Sequence, residues 1–247
     1  MTKSSITIVS SLFAIAVMAS AEPQRTFLTT ENQFPERGRL ELGYGFDGRA
    51  YDGLDLYTHS LNARLGLLKD FTVRVQVPGI DRQPEMGNSE FGLGDVSLGF
   101  DLVAYQDVFS FPFLIPHADI SFATGEEEKG LGAGETEFRI GVAIGTKTHE
   151  AIWWVLDASY STGDLLNSDE ILDLGLSVLW ELSDQFTVAA EGLIRHMEET
   201  DSEAVLAGAS ATYKWTPSFL TGVFAGKWNE NDTGEDTVLK VSAAYAF

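Results

Sequence analysis

Apolar and polar residues alternate with a period of two along most of this chain, as they do in strands whose two faces meet different surroundings. In Arg37 to Phe46, the set Leu40, Leu42, Tyr44 and Phe46 interleaves with Arg39, Glu41, Gly43 and Gly45. The rhythm returns in Tyr57 to Leu67, Phe71 to Val77, Asp95 to Ala104, Leu114 to Phe122 and Glu137 to Thr146. It continues in Ile152 to Tyr160, Leu172 to Leu182, Phe186 to Arg195, Val205 to Trp215, Phe219 to Trp228 and Leu239 to Phe247. This predicts twelve strands, an even number. In the fifth, Pro112 and Pro116 would each remove a ladder donor, so that strand is expected to start after Pro116 or to bulge. The facing of Phe219 to Trp228 stays open, because Phe219, Val223 and Ala225 compete with Leu220, Phe224 and Trp228.

The gaps between strands sort by parity. Those at Leu68 to Asp70, Tyr105 to Ser110, Lys147 to Glu150, Ser183 to Gln185 and Thr216 to Ser218 are short. Those at Asp47 to Asp55, Pro78 to Leu93, Ala123 to Thr136, Thr162 to Glu170, Met197 to Glu203 and Asn229 to Asp236 are longer. Strict alternation of short and long connections is what a transmembrane up-and-down antiparallel β-barrel predicts, with short periplasmic turns and longer outer loops. A soluble sandwich has no reason to sort its loops this way. Aromatics gather at strand ends, with Trp153, Trp154, Trp180, Phe186, Trp215, Phe219, Tyr245 and Phe247 at the expected periplasmic boundary. Phe46, Phe122, Phe138, Tyr160 and Trp228 fall at the other, so the two sets read as interfacial girdles.

The N-terminus adds an address. Lys3, the apolar run Ile6 to Met18 and Ala19-Ser20-Ala21 read as a cleaved secretory signal over residues 1–21. Residues 22–36 are then expected to be a short periplasmic segment and 37–247 the barrel. No later stretch is apolar enough for a spanning helix.

Composition narrows the partners. The 247 residues carry a formal charge of -21, which opposes binding of nucleic acid because phosphate recognition needs a basic face. With 44% hydrophobic and 21% charged residues, the chain is no acidic disordered tail. Cysteine is absent, which removes disulfides, thiolate metal sites and thiol nucleophiles. The six outer segments hold 21 acids against three bases, Arg49, Arg82 and Lys129. Such a rim suits solvation, or divalent cations bridging anionic lipopolysaccharide.

At Phe91 to Leu102 the chain reads F-G-L-G-D-V-S-L-G-F-D-L, and Ala118 to Lys147 runs through a T-G loop into G-L-G-A-G. This order of motifs resembles the outer-membrane family named for a MetA-pathway of phenol degradation, over Pro78 to Lys147. Ala123 stands where many members have proline before the T-G loop. The resemblance implies a monomeric barrel passing small hydrophobic or aromatic compounds. Ending on Phe247 also resembles the C-terminal signature read by the barrel assembly machinery.

Strand parity assigns the candidate solute path. Nine acids face the lumen, among them Glu41, Asp95, Asp119, Glu137, Asp157, Asp173 and Glu191, with Asp101 and Glu181 completing the set. Seven bases face them: Arg39, Arg64, Arg74, Arg139, Arg195, Lys214 and Lys240. This near balance fits either a charge ladder that passes a small solute or a salt-bridged plug. No cofactor, metal or catalytic residue is assigned. Gly130 to Gly134 does not open a helix in a βαβ unit, and Asn229 to Gly234 lacks the closing Glu of a calcium loop. His59 and Ser60 point to opposite faces, which is poor geometry for a nucleophile and its base. The expectation is an outer-membrane pore or uptake channel. The rivals are a structural or surface-interaction barrel without transport, and an outer-membrane hydrolase using His196 with rim acids such as Glu198.

Overall fold

The computed structural model describes residues 25–30, 34–51, 53–107, 112–163, 170–198, 200–230 and 234–247. The expected signal peptide and the mature start at Glu22 lie outside the described residues. Twelve staves form: β1 (Leu40–Tyr51), β2 (Leu54–Leu68), β3 (Phe71–Pro84), a segmented β4 (Glu90–Leu93, Val96–Leu102 and Tyr105–Gln106), β5 (Phe113–Phe122) and β6 (Glu137–His149). Then follow β7 (Ile152–Ser161), β8 (Ile171–Glu181), β9 (Phe186–Met197), β10 (Ser202–Thr216), β11 (Phe219–Glu230) and β12 (Gly234–Ala246). Each pairs antiparallel with its sequence neighbours, and β12 returns to β1 from Glu41↔Ala246 to Ala50↔Thr237. The backbone N–H of Phe247 donates to Leu40 O at 2.9 Å and finishes that seam. Closure leaves no long edge strand, the condition under which a sheet can sit in lipid.

The outward face is apolar. Leu61 is 65% and Ile140 63% exposed, and Leu42, Leu174, Leu176 and Val241 point the same way. A belt of this kind in water would be an aggregation surface; in a bilayer it is the lipid contact. No helix among the described residues is long and apolar enough to cross a membrane.

Several connections are shorter than their polarity suggested. Asp47 to Asp55 is not a loop: β1 and β2 pair up to Tyr51↔Leu54. The expected loops at Pro78 to Leu93 and Asn229 to Asp236 are likewise mostly strand. Beyond the lipid both faces of a hairpin meet water, so charged residues need not end the ladder. The segment 123–136 remains a true loop, with a 3₁₀ turn at Glu127–Lys129.

Both interruptions of β4 sit opposite prolines. Pro78 of β3 has no N–H, and there the ladder skips from Gln76↔Ser97 to Gly79↔Leu93, with Gly94 N donating to Pro78 O at 2.8 Å. On the other side β5 runs straight through Pro116, and β4 breaks instead at Val103-Ala104, between Asp101↔His117 and Tyr105↔Leu114. The expected late start of the fifth strand is therefore corrected. Its partner absorbs the missing donor.

The open facing of β11 resolves with Leu220 and Phe224 inward and Val223 outward. Phe224 is wholly buried, and its ring lies where a Cβ on Gly208 or Gly226 would stand, 2.6 and 2.7 Å away. Trp228 follows the same parity and packs in the lumen rather than in a girdle. Trp153 also turns inward, against the lumen cluster around Phe113. Trp154, Trp180 and Trp215 stay on the outer surface.

Candidate functional site

Inside the barrel, the parity that carries charges at mid-height carries apolar side chains toward the short turns. Phe113, Ile115, Ala143, Val155, Leu179 and Ala189 form one buried cluster, with Phe34, Val103 and Trp153 against it. Phe113 fits because Gly145 has no side chain: a Cβ there would lie 2.0 Å from the ring. The lumen thus has an apolar floor.

The segment 22–36 was expected beneath the barrel; its residues Arg25–Thr30 lie inside. Arg25 pairs with Glu181 and stacks over Trp153, 3.6 Å from the ring centroid. Phe27 N and Leu28 N both donate to Glu191 Oε2, at 2.8 and 2.9 Å. Thr29 Oγ1 donates to Ser177 Oγ at 2.9 Å and Thr30 N to Asp157 Oδ2 at 2.7 Å. Gly175 makes the room, since a Cβ on it would press on Leu28 O and Thr29 Cγ2 at 3.0 Å. The chain then reaches Phe34, beneath the Arg64 guanidinium, before entering β1. The lumen carboxylates take the backbone donors that a non-helical, non-sheet segment would otherwise bury unpaired.

The remaining charges form a lattice across strands. Arg64 donates to Glu41 at 3.1 Å, and Arg39 pairs with Glu36 at 3.0 Å near the short-turn end. Arg74 bridges Asp101 at 2.8 Å and Asp119 at 3.1 Å. Arg195 binds both oxygens of Asp173, at 2.8 and 2.9 Å. His117 Nε2 lies 2.9 Å from Asp157, and Lys240 reaches Asp47 at 3.2 Å. Asp47 and its partner Arg49 had been counted in an outer loop; extension of β1 places Asp47 against Lys240 and Arg49 along the lumen. Glu137 and Arg139 line the lumen higher up.

Asp95 does something different from the other candidates. Its carboxylate accepts the backbone N–H groups of Thr124, Gly125 and Ala133, at 2.9, 2.8 and 2.7 Å, which folds the 123–136 loop inward. Leu131 at the loop's tip is wholly buried against Leu56 and Ile80. Within the loop, Lys129 lies 2.6 Å from Glu126, and that hydrogen bond raises its pKa above the ordinary lysine value. The loop is a lid, and Asp95 is its clip.

Two cavities lie between floor and lid. The lower, about 400 Å³, is bounded below by Phe27 to Thr30; the upper, about 340 Å³, lies toward the lid beside Pro78 and Ile80. Thr58, Arg74, Asp119 and Arg139 border both and so form the waist between them. The parity count placed the charges on this face but missed the inner segment. Its signal, Phe27-Leu28-Thr29-Thr30 just after an expected cleavage site, has no periodicity to mark it. His196 follows Arg195 on the outward parity of β9, away from the lumen charges.

No protein-family profile matches the chain, and no curated protein sequence matches it. Solved structures do. A crystal structure of an outer-membrane channel from Pseudomonas putida is similar with a TM-score of 0.68 at 13% identity, over 92% of this chain and 100% of that one. The NanC porin is similar with a TM-score of 0.59 at 12% identity, over 83% of this chain and 98% of that one. The CymD monoaromatic hydrocarbon channel gives a TM-score of 0.52 at 8% identity, over 85% of this chain and 89% of that one. At these identities the likeness establishes the architecture: a closed, twelve-stranded antiparallel barrel of the outer-membrane kind.

Proposed function

We propose that this protein is a bacterial outer-membrane channel for uptake of small solutes with a hydrophobic or aromatic part, closed at rest by its own N-terminal segment. The observation that carries the reading is the lipid-facing barrel enclosing two lumen cavities, with Phe27 to Thr30 seated between the lower one and the floor. Twelve strands stand between barrels filled by side chains and those enclosing a wide water channel, which suits a narrow, gated path. The MetA-pathway family resemblance and the similarity to CymD, a monoaromatic hydrocarbon channel, support the solute class. In this reading the short turns and both chain ends are periplasmic, residues 1–21 are a cleaved signal, Phe247 is read by the assembly machinery, and the acidic outer rim meets water and lipopolysaccharide.

The lumen face, including Glu41, Asp119 and Arg139, is then the solute path, while Asp95 and Glu191 hold its closures. The occluded floor is the one feature favouring a barrel without transport. Proteoliposomes decide between them: uptake of labelled toluene or phenol above that of empty liposomes, increased by deleting residues 25–30, is expected. Equal uptake by empty liposomes, wild type and deletion would overturn the channel.

A further inference from the structure

The charges around the lower cavity are unevenly paired. Each acid lining it is already engaged: Asp119 by Arg74, Asp157 by His117 and the Thr30 N–H, and Asp173 by Nε and Nη2 of Arg195. A cationic solute therefore finds no unoccupied carboxylate there. Arg139 is the opposite case. Its register partner across β5 is Asp119, whose carboxylate turns to Arg74 instead. Its one ionic contact among the described residues is Asp173 at 3.8 Å, beyond hydrogen-bond reach, on a carboxylate that Arg195 already holds. A guanidinium has five donors in a planar fork. This one is 38% exposed and stands at the waist, bordering both cavities.

The walls of the lower cavity supply the other half of a ligand site. Among its mostly polar lining, Phe27, Leu193, Leu206, Trp228 and Val238 form an apolar part that shares the cavity with Arg139. Its volume of about 400 Å³ falls within the roughly 300–1,000 Å³ of small-molecule sites. A fork of free donors on a cavity whose lining is mostly polar but includes two aromatic rings and several aliphatic side chains suits a planar monoanion that accepts two parallel N–H bonds and carries a ring or short hydrocarbon.

We propose that Arg139 is the specificity-determining residue of a lumen site for aromatic monocarboxylates, so that the channel selects for anions at its waist although its outer rim is acidic. This rests on the uptake reading for its biological meaning and on the geometry alone for binding. The test is calorimetric titration of the purified full-length barrel in detergent with benzoate, benzyl alcohol and benzylamine. Wild type is expected to bind benzoate more tightly than either analogue. R139Q should weaken benzoate by about tenfold while leaving benzyl alcohol unchanged, and R139K, a point charge without the fork, should fall between. Benzoate bound no better than benzyl alcohol by wild type overturns the proposal, a comparison that does not depend on any variant folding. Benzoate affinity unchanged in an R139Q barrel that still migrates as a folded form on unboiled gels also overturns it. Proteoliposome uptake separates the two readings: benzoate binding without any uptake removes the channel and keeps the site, and uptake of phenol without benzoate preference does the reverse.

Discussion

Replacing Glu191 by alanine should unlatch the inner segment. Glu191 is 4% exposed and accepts from Phe27 N, Leu28 N, Ser177 Oγ and Ser210 Oγ. Only the first two bonds hold the segment itself. A hydrogen bond to a charged acceptor contributes about 1.5–3 kcal/mol, so losing two removes roughly 3–6 kcal/mol from the docked state. Water entering the vacated space satisfies the freed donors in part, which makes the lower end the working figure. At about 1.4 kcal/mol per factor of ten, the undocked fraction rises about a hundredfold. Hydrogen exchange at the Phe27 and Leu28 amides reads this directly, and single-channel recording in planar bilayers should show more frequent open events. E191Q keeps one carbonyl acceptor and should fall between. Unchanged amide protection in a folded E191A barrel would refute the assignment of Glu191 as the latch.

Three further outcomes follow from other contacts. G145A pushes a methyl into the Phe113 ring, and overpacking of this kind costs about 1–3 kcal/mol, so the thermal midpoint should drop and G145A/F113A should recover part of it. D95A leaves the Thr124, Gly125 and Ala133 amides without their acceptor; protease cleavage within 123–136 should appear while the barrel stays resistant, and an uncleaved loop would count against the clip. L176R places a charge on the lipid face near the middle of β8, where about 2–4 kcal/mol is lost at the bilayer midplane, so the yield of folded barrel in liposomes should fall well below that of L176M.

The candidate site was legible in part. Parity alone put Arg74, Asp119, Arg139, Asp157, Asp173, Glu191 and Arg195 on one face, and these residues do converge in the lumen. It read the same face as polar throughout, although Ile115, Val155 and Leu179 continue it downward. Alternation records that two faces differ, and where both turn apolar the record goes blank, as on β11 with Leu220 and Phe224.

The sequence by itself determined strand number, strand order and, outside β11 and the inward Trp153 and Trp228, which strand residues meet lipid, because a period of two is a local property that each stave of a barrel must obey. It also supplied most of the charge inventory of the lumen, which Asp47 and Arg49 join only through the extension of β1. Pairing within that inventory was decided by tertiary structure, since Asp119 stands opposite Arg139 yet binds Arg74 of a strand two staves away. Tertiary structure likewise decided where residues 25–30 go. Those residues carry no repeat, and what fixes them is a set of partners, Glu191, Ser177 and Asp157, that closing the barrel brings to one side of the lumen.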